Sequence, residues 1–252
     1  MDPVLVQWGP VVIRWYGVMM AVTIVLAVGA ALRAGPRVGI PAEEIDRLAV
    51  PAIVLAFLGA RLGYVLSHPS QFGSLVEVLR VDRGGLTSHG ALAGGALGLW
   101  WAARRRGLDF WSLADAVVWA VPLGNIFVRL GNFINGELYG DPTTLPWGVT
   151  FPGVPQPRHP LQIYEMIWAA AILTLTWPRL GRRRFPGELF WTVIVLTSAG
   201  RIVWDLLRSH DRVVWVITLG HIPAAALLGA GVWYLTSRGK GGRGSDGKIL
   251  KV

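Results

Sequence analysis

VRLGNFINGELYG, residues 128–140, closes an otherwise apolar segment and decides how the rest of the chain is read. An arginine, two asparagines and a glutamate crowd the point where a membrane span should meet water. A charged side chain at membrane depth costs roughly 2.5–3.5 kcal/mol on insertion scales, so it is rarely kept there without a task. The run implies a membrane segment and a polar site at its mouth.

Composition supports the membrane segment. The chain has 252 residues, 53% hydrophobic and 15% charged, with a mean hydropathy of +0.48. Soluble domains average about 25% charged. Long apolar stretches punctuated by short basic loops describe an all-α polytopic membrane protein. Seven candidate transmembrane helices fall at 11–32, 48–67, 86–103, 112–135, 161–178, 187–208 and 213–235. Each is near the ~20 residues a helix needs to cross the hydrocarbon. The third is the weakest, being short and glycine-rich (HGALAGGALG). There is no cysteine, which excludes disulfides, thiolate metal sites and a cysteine nucleophile in the protein itself. The opening MDPVLVQWGP holds Asp2 and no basic residue, so the first apolar run reads as a retained span rather than a cleaved signal peptide.

The net charge of +9 is a topology signal, not a nucleic-acid footprint. Arg33, Arg37 and Arg47, then Arg104, Arg105 and Arg106, then Arg179, Arg182, Arg183 and Arg184, and finally five basic residues from Arg238 onward follow spans one, three, five and seven. The opposite loops and the outer end of span six hold only Arg80, Arg83, Arg158, Arg208 and Arg212. Basic residues stay cytoplasmic. The N-terminus is therefore expected outside and the C-terminus in the cytoplasm. Residues 1–237 read as a single transmembrane domain, and the Gly- and Lys-rich tail 238–252 as disordered.

Four arginines break the pattern: Arg14, Arg61, Arg129 and Arg201 lie inside apolar segments. The orientation puts all four, with His89 and the run RHPLQIYE at 158–165, at the level of the outer leaflet. Acids expected at that level are Glu137, Glu165 and Asp205. A surplus of guanidinium there suggests a phosphate-bearing lipid, because the arginine fork can hold two phosphate oxygens at once. Simpler readings exist: a residue near a span end can snorkel, and a structural ion pair would also explain Arg61. Arg129 and Asn132 are spaced i, i+3 and so share a helix face; Arg201, Asp205 and Arg208 do the same at i, i+4 and i+7. Asp205 is placed to orient Arg201. Gly136 is expected to end the fourth helix, leaving Glu137 on a turn where it can bond Tyr139 or an arginine.

His89, at a span mouth, is the most plausible general base, with an unperturbed pKa near ~6.5. His159 and Tyr164 sit in the second polar run, where Pro160 marks a helix start. Residues 136–160 contain six prolines, which argues against helix and for a small extracytoplasmic cap. No metal-binding spacing and no P-loop appear, so no metal and no cofactor are expected. The 13 tryptophans mostly fall near span ends, as an aromatic belt would.

Several of these motifs are familiar as a set. RLGNFINGELYG at 129–140 closely resembles the signature of the prolipoprotein diacylglyceryl transferase family of bacterial membrane enzymes. RWYG at 14–17, GARLGYVL at 59–66, SHGALAG at 88–94, RHPLQIYE at 158–165 and RIVWDLLR at 201–208 resemble further family motifs in the same order. Leu161 replaces a serine and Asp205 a glutamate. Val128 replaces a small residue, and Thr197 falls where some members carry a tyrosine.

The resemblance implies a multi-pass protein of the bacterial cytoplasmic (inner) membrane with its active site toward the outer leaflet. It implies transfer of diacylglyceryl from phosphatidylglycerol to the thiol of the lipobox cysteine in a prolipoprotein signal peptide, with release of glycerol 1-phosphate. It implies catalytic roles for His89, Arg129 and Arg201. Substrate contacts are then expected from Arg129, Arg201, Asn132, Asn135, Glu137, Tyr16, Arg61, Tyr164 and Asp205, with Tyr16 or Tyr164 supplying a hydroxyl in place of Thr197. Either His89 takes the thiol proton or the arginine field lowers the thiol pKa directly. A transporter or flippase of an anionic lipid would also gather arginines, but it predicts polar residues continuing to the inner leaflet and internal repeats. A non-catalytic lipid-binding scaffold leaves the histidine unexplained.

Overall fold

The computed structural model describes residues 4–9, 11–80, 85–208 and 221–241. The described residues are mainly helical and divide into two compact units, Met1–Ala31 with Val117–Val252, and Leu32–Ala116.

The first departure from the sequence reading lies at the start. Val4–Trp8 (β1) and Val11–Arg14 (β2) form an antiparallel hairpin, with Trp8 opposite Val11 and Val6 opposite Ile13. Arg14 therefore closes a strand instead of sitting inside a span. The β-branched run VVIR suits a pleated surface, and Gly9 takes the positive φ of +57° needed at the hairpin end. Helix α1 (Trp15–Ala34) starts only afterwards.

In the second unit, α2 (Ala42–Ser67) and α4 (Ser88–Arg106) pack along their lengths, with the short α3 (Leu75–Leu79) between them in sequence. Glycines make that packing possible. A Cβ at Gly94 would strike the Leu55 carbonyl, and one at Gly59 the Gly90 carbonyl. The glycine-rich third segment is thus a full helix whose small residues bring two backbones together. The short α5 (Phe110–Val117) is capped by Asp109, whose Oδ2 accepts from Ser112 N at 2.7 Å.

The expected fourth span, 112–135, carries one turn within it. A turn at Val118 and Trp119 separates α5 from α6 (Ala120–Asn135). Pro122 explains it, because its ring would clash with the carbonyl of residue 118 in a continuous helix. Helices α7 (Leu161–Thr176), α8 (Glu188–Asp205) and α9 (His221–Gly241) follow. Helix α9 runs four residues past the expected boundary at 237; the rest of the tail and the start of the expected seventh span, to residue 220, lie outside the described residues. Trp168 Nε1 donates to the Leu196 carbonyl at 2.9 Å and packs where Gly200 has no side chain, which brings α7 and α8 together beside Arg201.

Three helical segments among the described residues are long and apolar enough to cross a membrane: Trp15–Val38, Ala42–Ser67 and Phe110–Asn135. Large apolar side chains are exposed in number, and several charged ones are buried. Val25, Leu66, Leu97, Ile167 and Trp233 are exposed, whereas Arg61, Asn132, Gln162, Glu165, Asp205 and Arg208 are buried. Exposed apolar side chains beside paired buried charge suit a bilayer as solvent.

Candidate active site

Three arginines and two carboxylates alternate through the first unit. Arg129 Nε on α6 lies 2.6 Å from Glu165 Oε2 on α7. The other Glu165 oxygen lies 3.2 Å from Arg208 Nη2. Arg208 Nη1 is 3.6 Å from Asp205 Oδ1, and Asp205 Oδ2 accepts from Arg201 Nε at 2.8 Å. Side-chain exposure is 5%, 3% and 1% at Glu165, Arg208 and Asp205, rising to 13% at Arg129 and 36% at Arg201. Burying charge is costly unless it is paired, and the three central groups each have an opposite charge on either side. Arg201 and Asp205 meet at the expected i, i+4 spacing.

The signature run builds one end of this ladder. Arg129 Nη1 reaches Asn132 Oδ1 at 3.4 Å, and Asn132 Nδ2 donates to Glu137 Oε1 at 2.8 Å. Asn135 Nδ2 donates to the same oxygen at 3.2 Å. Gly136 ends α6 with a φ of +74°, Gly136 N bonding the Phe133 carbonyl and Glu137 N the Asn132 carbonyl. That is a Schellman turn, which a glycine allows at low cost. The turn folds Glu137 back over Asn132. Its carboxylate is held by the two asparagine amides, which corrects the expectation of a bond to Tyr139 or an arginine.

The 136–160 segment meets the centre of the ladder. Asp141 N donates to the Leu207 carbonyl at 2.8 Å, and Gly140 N to the His159 carbonyl at 2.8 Å. Arg208 Nη2 also reaches the Leu138 carbonyl at 3.4 Å, and Gln162 Nε2 donates to the Glu137 carbonyl. Leu138 is the one non-glycine residue at positive φ, +59°, among the described residues. Phe151, 2% exposed, stacks on Tyr139 at 5.0 Å and meets Phe133 edge-on at 5.8 Å, a small core for a segment without helix.

The ladder leaves two guanidinium edges available. Arg201 makes no hydrogen bond from its Nη atoms to any described residue, and Arg129 makes none from Nη2. Each arginine is pinned through Nε, so the edge opposite the carboxylate can meet an incoming anion. Arg129 lies within coulombic reach of Arg201 and Arg208. Three guanidinium groups share two carboxylates, and no arginine among the described residues comes within ion-pair distance of Glu137. Such a field attracts a phosphate.

The tyrosines differ in surroundings. Tyr16, the second residue of α1, packs against Gly131 of α6 and lies within coulombic reach of Glu137 and Arg129. The Tyr164 hydroxyl accepts from Trp147 Nε1 at 2.8 Å and lies 3.2 Å from His159 Nδ1. The Thr197 hydroxyl, one turn before Arg201, is buried with no hydrogen-bond partner among the described residues.

Arg61 and His89 belong to the other unit. The Arg61 guanidinium donates to the carbonyls of Glu77, Val78, Arg80 and Gly85 at 2.8–2.9 Å. These four partners are backbone carbonyls. His89 is the second residue of α4, and its side chain lies outside the described residues.

Arg208 was read from the sequence as a span-end residue, and Glu165 only as an available acid. Their pairing forms the centre of the ladder. The signal for Arg208 is its place on the Arg201 face; for Glu165 it is the last position of the RHPLQIYE run.

A model of the prolipoprotein diacylglyceryl transferase family matches residues 3–237. The chain is 36% identical over 246 residues to a phosphatidylglycerol–prolipoprotein diacylglyceryl transferase of Nitratidesulfovibrio vulgaris (strain Miyazaki F), covering 93% of this chain and 92% of the relative. Proteins of the same name from Geobacter sulfurreducens and Mesorhizobium japonicum are 38% and 35% identical, covering 83% of each chain in the first case and 94% and 90% in the second.

Proposed function

The chain belongs to the prolipoprotein diacylglyceryl transferase family, and from that premise we propose how its residues carry out the transfer. The protein is a membrane transferase that moves the diacylglyceryl group of phosphatidylglycerol to a prolipoprotein. The flippase reading has no support beside that membership. The acceptor is the lipobox cysteine thiol of the signal peptide. Its sulfur attacks the glycerol carbon that bears the phosphate ester. A C–S bond forms, the C–O bond breaks, and the oxygen leaves with the electron pair as glycerol 1-phosphate.

A phosphate monoester leaves as a stable anion, so the leaving group needs charge stabilisation more than protonation. The Nη edges of Arg129 and Arg201 supply it. Glu165 and Asp205 hold those edges in place from behind, and Arg208 holds the two carboxylates. Asn132, Asn135 and Glu137 fix Arg129 on its other side. The hydroxyls of Tyr16 and Tyr164 take polar contacts to the substrates.

The acceptor thiol, with an ordinary pKa near ~8.5, must lose its proton. His89 is assigned that proton on chemistry and family resemblance rather than on geometry. Arg61 holds the carbonyls of Glu77, Val78, Arg80 and Gly85.

Seven spans are proposed, with the N-terminus outside and the C-terminus in the cytoplasm, in the bacterial inner membrane. Residues 1–237 then act as one catalytic domain with its site at the outer leaflet under the 136–160 cap. The basic-loop asymmetry supports this orientation.

The observation that carries the reading is the ladder itself: three arginines on two buried carboxylates, with two guanidinium edges left for an anion. Purified protein incubated with phosphatidylglycerol and a lipobox peptide should add one diacylglyceryl mass to the peptide cysteine. An unmodified peptide, with lipid binding demonstrated in the same preparation, would overturn it.

A further inference from the structure

A second lipid-facing feature lies within the other unit, at the arginine-bearing ends of α2 and α4. The two helices are in backbone contact at Gly59 and Gly94. Further along, Leu55 fills the space beside Gly98, and beyond it a groove of about 300 Å³ opens between Leu48–Leu55 and Gly98–Arg106. Pro51 lies inside α2 on the groove wall and has no N–H to give to the Arg47 carbonyl one turn back, a local break in the helical ladder that favours a bend. The groove volume is at the lower end of the range of about 300–1,000 Å³ for ligand pockets.

The floor and the mouth have different chemistry. Leu48, Ala52 and Leu55 of α2, a helix long enough to span the membrane, make an apolar floor with Trp101 of α4, so the groove opens toward acyl chains rather than water. Arg47, Arg105 and Arg106 stand at the mouth. Glu44 is the carboxylate for two of them, at 3.0 Å from Arg47 and 2.8 Å from Arg106. Arg105 has no carboxylate partner among the described residues; its guanidinium lies 4.9 Å from the centre of the Trp101 ring. The groove lining itself holds these three arginines and no carboxylate, Glu43, Glu44 and Asp46 of the adjoining turn lying outside it, so a positive mouth adjoins an apolar slot. Basic pockets between spanning helices at a cytoplasmic surface suit anionic lipid headgroups.

We infer that this groove seats one anionic phospholipid of the cytoplasmic leaflet, an acyl chain lying along Leu48, Ala52 and Leu55 and the phosphate meeting Arg47 and Arg105. This site uses no residue of the Arg129–Arg208 ladder, and the lipid in it is a bound companion rather than the donor substrate. Only the choice of leaflet rests on the orientation proposed above.

Purified full-length protein in detergent would be titrated with dioleoyl phosphatidylserine or dioleoyl phosphatidylcholine, with bound lipids counted by native mass spectrometry. The wild type should bind phosphatidylserine in preference to phosphatidylcholine. The double variant R47Q/R105Q should lose about fivefold in phosphatidylserine affinity for each arginine removed. Arg182→Gln, an exposed arginine outside the groove, should bind as the wild type does. Ala52→Trp, which plugs the slot, should weaken binding with the arginines intact. Retained diacylglyceryl transfer by R47Q/R105Q shows that the variant is folded. Wild-type phosphatidylserine binding by R47Q/R105Q, or equal binding of the two lipids by the wild type, overturns the inference. Because binding in detergent is read without reference to leaflet, either result leaves the orientation and the transferase reading standing.

Discussion

Arg129 and Arg208 are joined through one carboxylate, Glu165 Oε2 lying 2.6 Å from Arg129 and Oε1 3.2 Å from Arg208. The two arginines come from different elements, one at an end of the ladder on α6 and one at its centre, just past α8. Glu165→Gln keeps the shape but leaves two largely buried guanidinium groups short of a counter-charge. Breaking a buried pair from one side costs about 3–5 kcal/mol. The variant should show a lowered unfolding midpoint in detergent and lose transfer activity. A second removal, Arg208→Gln on the Glu165→Gln background, should cost less than its effect on the wild type. Additive losses in that double-mutant cycle would mean that the pair is not coupled.

Arg201 and Lys are not interchangeable in this geometry. Arg201 binds Asp205 through Nε and keeps its Nη edge for the substrate. A lysine ammonium can satisfy Asp205 or meet a phosphate, but it has no rigid fork with which to do both. Arg201→Lys should insert and fold, yet lose about 10²–10³ in kcat, the usual effect of removing one transition-state donor. Arg201→Ala should be weaker still. Wild-type turnover by the lysine variant would show that charge alone suffices at this position.

Asn132 touches no reacting atom in the proposed scheme, so it is a positioning residue. It is 4% exposed and connects Arg129 to Glu137. Asn132→Ala removes both bonds and leaves Glu137 with Asn135 alone. A buried polar group deprived of its partner costs about 1–3 kcal/mol. The expected signature is a fall in kcat with KM for phosphatidylglycerol nearly unchanged, together with partial rescue in Asn132→Gln. A change confined to thermal stability would reduce Asn132 to a purely structural role.

Why these residues were legible in the sequence, and their partners less so, follows from distance along the chain. Arg129, Asn132 and the stop at Gly136 are local: helical spacing and one glycine suffice to place them. The Arg201–Asp205 pair is local too. The Arg129–Glu165 and Arg208–Glu165 contacts join residues on different helices, and no period or propensity encodes which acid meets which arginine. Arg208 was assigned to a span end because hydropathy reports depth along a helix but not the helix face turned inward. The hairpin at Val4–Arg14 was missed for a related reason, since a four-residue apolar run fits the start of a span as well as a strand. The break before Ala120 was within reach, because Pro122 marks it.

His89 is tested by pH. A general base works only when deprotonated, so kcat/KM should fall as pH drops through the imidazole pKa, near ~6.5 if unperturbed. Its acid limb should report that group. In His89→Gln the residual rate should lose the limb and become flat there. An acid limb that persists in the variant at the same pH assigns the proton to another group, and lowering of the thiol pKa by the arginines then becomes the working explanation.

Arg61 offers the complementary case, an arginine within an apolar helix that binds backbone. Its guanidinium holds the carbonyls of Glu77, Val78, Arg80 and Gly85, and it is 8% exposed. Hydrogen bonds to a charged donor contribute about 1.5–3 kcal/mol each, so the clamp outweighs the cost of placing a cation there. Gly85, at a φ of +85°, sits so close that a side chain at this position would strike Arg61 and Tyr64. Two routes should therefore release the same segment: Arg61→Ala removes the donor, and Gly85→Val forces the acceptor away. Both variants should speed amide hydrogen exchange over residues 75–80, measured in detergent, while exchange in α7 and α8 stays at wild-type rates. If Arg61→Ala leaves exchange over residues 75–80 unchanged and instead raises KM for phosphatidylglycerol, the guanidinium serves the lipid and the clamp assignment fails.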